Sequence, residues 1–155
     1  MENMPLMIFL KEETDLRFVV FNHAGEDLLG YDRKDLLGKS NLDLFPHEEV
    51  ANFMSKDREV LDGDAGILDI PEELILTAEK GQRLLHTRKV RISGADGATK
   101  YLLGISEDIT ERKKLEEKAN KRLRETEVFY KASFGREQRI LELKKEIELS
   151  KKRAE

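Results

Sequence analysis

The sequence predicts an α+β fold: a five-stranded antiparallel sheet with short helices and one longer helix on one face, followed by a long C-terminal helical segment. Three observations predict it. Two short runs rich in aromatic and β-branched residues precede a group of short, capped helices. Three longer strand-like runs, separated by Gly-containing turns, follow a single apolar stripe at helical period. Beyond residue 110 the chain turns almost wholly charged and contains no Pro. The domain boundary is therefore placed at 110, with a globular part over 1–110 and a helical linker over 111–155.

Residues 5–10 are expected as a first strand, apolar on both faces, and 17–21 as a second, joined by the turn Glu12-Glu13-Thr14-Asp15. Asn22 caps a short helix over 23–29 that Gly30 closes, and Asp32 caps another over 33–37 that Gly38 closes. Asn41 to Pro46 form a tight turn that tucks Leu42, Leu44 or Phe45 inward. Residues 47–61 form the main helix. Its stripe is Val50, Phe53, Met54, Val60 and Leu61, interrupted by Asp57, and Glu48 and Glu49 sit favourably in its first turn. Strands follow over 67–76, 82–92 and 99–107. Pro71 removes a ladder donor, which implies an edge position or a bulge. On the middle strand Leu84, His86, Arg88, Val90 and Ile92 share one face.

The tail of about 46 residues would span ~70 Å as one helix. With Leu115 at heptad position d, Phe129 and Leu143 also fall at d, and Ile140 and Ile147 at a. Arg112, Arg122 and Arg136 occupy core sites of the same register, so the seam is good only near its end. Ser133-Phe134-Gly135-Arg136 reads as a break, because Gly in mid-helix costs ~1 kcal/mol relative to Ala. One helix and two segments broken near 133–136 both fit.

Composition limits the function classes. A net charge of −4 argues against nucleic acid as a partner, since neutralising phosphates needs a basic face. The absence of Cys removes disulfides, thiolate metal sites and cysteine nucleophiles, and fits a reducing compartment. No apolar run approaches the ~20 residues that span a bilayer, so direct membrane insertion of this segment is not expected. The expected location is cytoplasmic, with any anchor of a longer parent lying elsewhere.

The junction at 104–117 joins strand to helix without a spare loop, so a shift in the sheet would reach the helix. Asp108 and Thr110, flanking Ile109, are the candidate caps. His23, His47 and His86 lack ligand spacing, so no metal site is expected. No Gly-Lys-Ser/Thr phosphate loop and no catalytic residues are found, and the chain is not expected to be an enzyme.

The motifs Arg17-Phe18-Val19-Val20-Phe21-Asn22, Leu28-Leu29-Gly30-Tyr31, Leu37-Gly38-Lys39, Asp43-Leu44-Phe45-Pro46, Asp57 to Leu61 with Gly63, and Gly104-Ile105-Ser106-Glu107-Asp108-Ile109-Thr110-Glu111-Arg112-Lys113 occur in the order of a known family. In them the chain from about residue 4 to 115 resembles a PAS domain, and the last run resembles the PAC ending in which a strand passes into a signalling helix. Residues 134–147 are similar to the linker that follows PAS domains in many bacterial sensor histidine kinases. The resemblance implies the PAS fold and a sensory input module of a bacterial two-component phosphorelay. Its partners would be a second copy in a homodimer and a downstream output domain, a kinase or a cyclic-dinucleotide enzyme.

For cofactors, haem-binding relatives carry a ligating His on the main helix, where this chain has Phe53, and flavin-adduct relatives need the missing Cys. Neither haem nor flavin is expected. A small-molecule pocket remains, with candidate lining residues Val20, Leu42, Phe45, Phe53, Met54, Leu76, His86, Arg88 and Ile105. Arg88 either binds an anionic ligand such as a carboxylate, or snorkels to solvent, or pairs with Asp57 or Glu59. The alternative function is a ligand-free dimerisation and spacer module that uses the first strand, including Met4 and Leu6, and the seam of Leu115, Phe129, Ile140, Leu143 and Ile147.

Overall fold

The computed structural model describes residues 5–45, 47–95 and 97–152, with side chains at all of these but 47–49, 148, 151 and 152. The expectations for Met4, for Pro46 and for the side chains of His47, Glu48 and Glu49 lie outside the described residues. Residues 1–111 and 112–155 form two compact units.

In the first unit the strands are β1 (Met7–Glu12), β2 (Phe18–Phe21), β3 (Ile67–Thr77), β4 (Gly81–Ser93) and β5 (Thr99–Asp108). They form one antiparallel sheet in the order β2-β1-β5-β4-β3. The last strand is therefore central, hydrogen-bonded to both β1 and β4. Pro71 lies on the edge strand β3, where the register with β4 also shifts between Ile70 and Glu73; edge and bulge both occur, as a missing donor requires.

Helices α1 (His23–Leu29), α2 (Arg33–Leu36) and α3 (His47–Asp62) fill the connection between β2 and β3. Asn22 caps α1 and does more. Its Oδ1 accepts from the N–H groups of Gly25 and Ile8, and its Nδ2 donates to the Leu6 carbonyl, so one buried amide joins α1 to β1. Gly30 closes α1 at φ 78°. Asp32 makes no side-chain cap bond to α2. The turn at 41–46 contains a single 3-10 turn, Asn41–Asp43, with a capping box between Ser40 and Asp43.

Two apolar clusters lie between sheet and helices. One holds Met7, Phe9, Phe18, Phe21, Leu28, Leu29, Leu36, Phe53, Ile75 and Leu85, and the other Leu16, Val60, Leu61 and Leu102. The far end of α3 is tied to β4 by Arg91, which donates to the carbonyls of Leu61 (3.0 Å) and Gly63 (2.9 Å), filling acceptors that a helix end leaves open.

Helix α4 runs from Thr110 to Lys152 without interruption. The break considered at 133–136 is absent: Gly135 is helical and no neighbouring group would meet a Cβ there. A single Gly penalty is small against more than ten flanking turns of good helix formers.

Candidate functional site

The site follows from one irregularity in the α3 stripe. Asp57 takes a core position between Phe53 and Val60, and its side chain is fully buried. Its two oxygens accept from two lysines on different strands: Oδ2 from Lys11 Nζ of β1 at 2.7 Å and Oδ1 from Lys89 Nζ of β4 at 2.6 Å. β1 and β4 are the two neighbours of β5, so the carboxylate bridges across the central strand. Both ammonium groups are buried as well. Lys11 Nζ also lies 4.8 Å from the ring centroid of Phe18 and 5.4 Å from that of Phe9, within cation–π reach.

Beside this cluster a cavity of about 50 Å³ separates sheet from helices. Its apolar wall includes Met7, Phe9, Phe18, Phe21, Phe45, Phe53, Ile75 and Leu85. Its polar wall is Lys11, Lys89, Glu73, Asn41, Thr87 and Ser106. Thr87 and Ser106 share a buried hydroxyl–hydroxyl hydrogen bond of 3.0 Å. Glu73, also buried, receives a hydrogen bond from Lys56 Nζ at 3.1 Å. Burial pulls the Lys11 ammonium below the ordinary lysine value; the adjacent Asp57 carboxylate opposes that shift, and the like charge of Lys89 adds to it. The arrangement has the features of a small-molecule site, an apolar chamber with a few converging polar groups. It holds no paired nucleophile and base, and no metal-ligating cluster exists among the described residues.

The junction lies at the edge of the same layer. Ser106 faces the cavity, and two residues on Asp108 ends β5. Asp108 Oδ1 accepts the Thr110 N–H at 3.0 Å and is bonded to the Thr110 hydroxyl. The Thr110 hydroxyl oxygen accepts the Leu84 N–H at 2.9 Å, and the Ile109 N–H donates to the Leu84 carbonyl at 2.9 Å. Buried Ile109 plugs the corner. The start of α4 is thus fastened to β4 as well as continuous with β5. Asp108 acts as cap and Thr110 as tether, where spacing alone left the cap open between them.

Of the candidate lining residues, Phe45 and Phe53 reach the cavity, their rings 5.5 Å apart edge to face. The others do not. Val20 is 43% exposed on the opposite face of the sheet, because Phe18 and Phe21 take the inner positions of β2. Leu42 is 51% exposed, and its neighbour Asn41 is the one turned inward. Met54 packs against the second apolar cluster. Leu76 is 50% exposed, the inner face of β3 being Glu73, Ile75 and Thr77. Ile105 lies between Ile8 and Arg88 in the register, on the outer face. His86 and Arg88 also lie there. Both reach Asp69 Oδ1 at 2.8 Å, so the partner of Arg88 is neither Asp57 nor Glu59. The hydrogen bond from Arg88, then that from His86, lowers the pKa of the Asp69 carboxyl.

The inner face of β4 is Leu85, Thr87 and Lys89. Alternation pointed to the wrong face because the outward set, with Leu84, Val90 and Ile92, is the more apolar one. Thr87 and Lys89 lie on the face that this pattern hides, and Lys11, Glu73 and Ser106 are polar positions on β1, β3 and β5 that an apolar lining does not suggest. One signal was present: Asp57 in a core stripe demands a buried cation, and Lys11 sits at the end of an apolar strand in phase with Phe9.

A family model described as PAS fold matches residues 1–114. The chain belongs to that family, whose members are sensory domains. Among solved structures it is similar to the PAS domain of a protein from Colwellia psychrerythraea, with a TM-score of 0.60 and 17% identity over 71% of this chain and 91% of that one. It is also similar to an RNA-binding light-oxygen-voltage receptor (TM-score 0.57, 18% identity, 79% of this chain and 35% of that one) and to the LOV protein of Rhodobacter sphaeroides (TM-score 0.56, 18% identity, 70% and 61%). No match to a curated protein was found. At these identities the likeness concerns the fold. With no Cys in the chain, a flavin–cysteinyl adduct has no residue to form on.

Proposed function

We propose that this chain is the sensory input module of a larger bacterial signalling protein of the two-component kinase type. A small ligand in the cavity would alter the β5–α4 junction and thereby a downstream output domain. One observation carries this reading: Ser106 lines the cavity, and two residues further the same strand ends in the Asp108–Thr110 fastening that starts α4. A ligand that moves β5 against β4 would strain the bonds between Thr110 and Leu84 and shift the root of the helix. A chamber of about 50 Å³ favours a ligand far smaller than a flavin or a haem. No described helix is long and apolar enough to cross a membrane, which accords with a cytoplasmic module whose parent is anchored elsewhere, if at all. The test is a small-molecule screen by thermal shift, followed by amide hydrogen exchange. Compounds that raise the melting temperature should change exchange at 104–112; stabilising compounds that leave those amides unchanged would sink the reading.

A second reading, homodimerisation, is favoured by the outer face of the sheet. Val20, Leu10, Leu103, Val90 and Ile67 are successive register partners, an apolar row across all five strands, with Val20 and Ile67 well exposed. On α4, Leu115, Phe129, Ile140, Leu143 and Ile147 are likewise exposed, as a seam awaiting a second helix requires. Leu6 is half-buried and adds little to such a patch. Sensing and dimerisation are compatible, since a dimer seam gives a ligand-induced shift something to act on.

A further inference from the structure

We propose that the cavity takes a small monocarboxylate with a short apolar chain, its carboxylate held by Lys11 and Lys89. This names the ligand class for the sensory reading above and rests on it. Charge is the first argument. Among the described residues, the ionisable groups around the chamber come from four elements: Lys11 on β1, Lys89 on β4, Glu73 on β3, and Asp57 and Lys56 on α3. β5 contributes only the neutral Ser106, and β2 only aromatic side chains. With Glu73 committed to Lys56, two buried ammonium groups share the single carboxylate of Asp57. The cluster is one negative charge short, so an anion is favoured, a cation is repelled, and a dianion would overshoot.

Donor geometry is the second argument. Each ammonium carries three N–H donors, and its bond to Asp57 takes one of them. Both groups line the chamber. The hydroxyl pair of Thr87 and Ser106 can re-aim to donate to an incoming oxygen. Size and lining are the third. About 50 Å³ has room for roughly three to four water-sized groups, which suits a carboxylate carrying a methyl or ethyl group. The remaining walls are apolar and include the rings of Phe9, Phe18, Phe21, Phe45 and Phe53, which offer an aliphatic chain contact and an inorganic ion none.

The experiment titrates the full chain with propionate, with the isosteric neutral propionamide and with chloride, at matched ionic strength. Amide resonances of Phe9, Lys11, Thr87 and Ser106 and the melting temperature are followed. Propionate should bind at least about tenfold more tightly than propionamide, and the preference should fall below about threefold in Lys89→Met, where the remaining Lys11–Asp57 pair is balanced. Lys11→Met, which balances Lys89 with Asp57 instead, gives the same test should Lys89→Met fail to fold. Equal binding of propionate and propionamide, no propionate response up to about 50 mM, an unchanged preference in the variants, or chloride reproducing the propionate shifts would each overturn the proposal. Amide exchange at 104–112, recorded alongside, separates the two ideas. Propionate binding without a change there upholds the anion site and sinks the sensory reading. A neutral compound that changes exchange where propionate does not bind does the reverse.

Discussion

Gly104 occupies the middle of the central strand, between Phe9 and Lys89 in the register. The Phe9 ring lies over it, and a Cβ at 104 would overlap three of that ring's carbons. Gly104→Ala should therefore destabilise the domain by about 1–3 kcal/mol in urea denaturation, because the ring must leave its edge-to-face contact with Phe18 and move into the chamber that it lines. Asp57 is more demanding. Asp57→Ala leaves two buried ammonium groups without their shared carboxylate, and a loss of about 3–5 kcal/mol is expected, well beyond that of Lys89→Met, which leaves a balanced pair. The cluster also sets a pH dependence. The folded pKa of Lys11 lies below its unfolded value of 10.5, chiefly through burial. Between those two values the unfolded chain holds more protons than the folded one, so this group's contribution makes stability rise with pH across that window. Below the folded value both states are protonated and the penalty of a buried charge is carried in full. In melting curves from neutral pH towards 10.5, the rise due to Lys11 should vanish in Lys11→Met; an identical pH profile in the variant would refute it.

Among the elements, α4 shows how a helix can be rooted by two side chains. Removing the Thr110 hydroxyl deletes the acceptor for Leu84 N–H, and removing the Asp108 carboxylate deletes the acceptor for Thr110 N–H. Thr110→Ala and Asp108→Ala should each cost about 0.5–2 kcal/mol, the range of a lost cap, with faster amide exchange at Leu84 and over 109–112. Uniform exchange in both variants would mean that strand continuity alone holds the helix. Further along, Gly135 is helical and its surroundings are open. Gly135→Ala should raise local helix stability by ~1 kcal/mol, seen as slower exchange around 135. The strands are organised by the same economy. β3 accepts Pro71 because it is an edge strand with a bulge there, and the bulge brings Glu73 onto the inner face beside Lys56.

The molecule as a whole uses the two faces of its sheet in an unusual division. The inner face carries Lys11, Lys89 and the chamber; the outer face carries the apolar row from Val20 through Leu103 to Ile67. In the dimeric reading proposed above, this row is the surface that a second copy would cover. Leu103→Glu at its centre should shift a dimer to monomer in light scattering while preserving the fold, since Leu103 is only half-buried. If the wild-type chain is already monomeric at high concentration, the row has some other occupant.

The element order, the caps at Asn22 and Gly30, the edge character of the Pro71 strand and the strand-to-helix passage at 108–110 were all legible in the chain. Each depends on interactions within a few residues: periodicity, a left-handed Gly, a missing N–H, a side chain reaching its neighbour's amide. The chamber was not legible in the same way. Phe45 and Phe53 were found because bulky aromatics near a helix are buried on almost any packing. His86, Arg88 and Leu76 were misplaced because strand alternation separates two faces without saying which one the helices cover. That choice depends on the register of β4 against β5 and on where α3 lands. Asp57 settles it, since a buried carboxylate that holds Lys11 and Lys89 fixes α3 over their face of the sheet. Residues 46 and 32 positions away in the chain meet there, and only tertiary packing could bring them together.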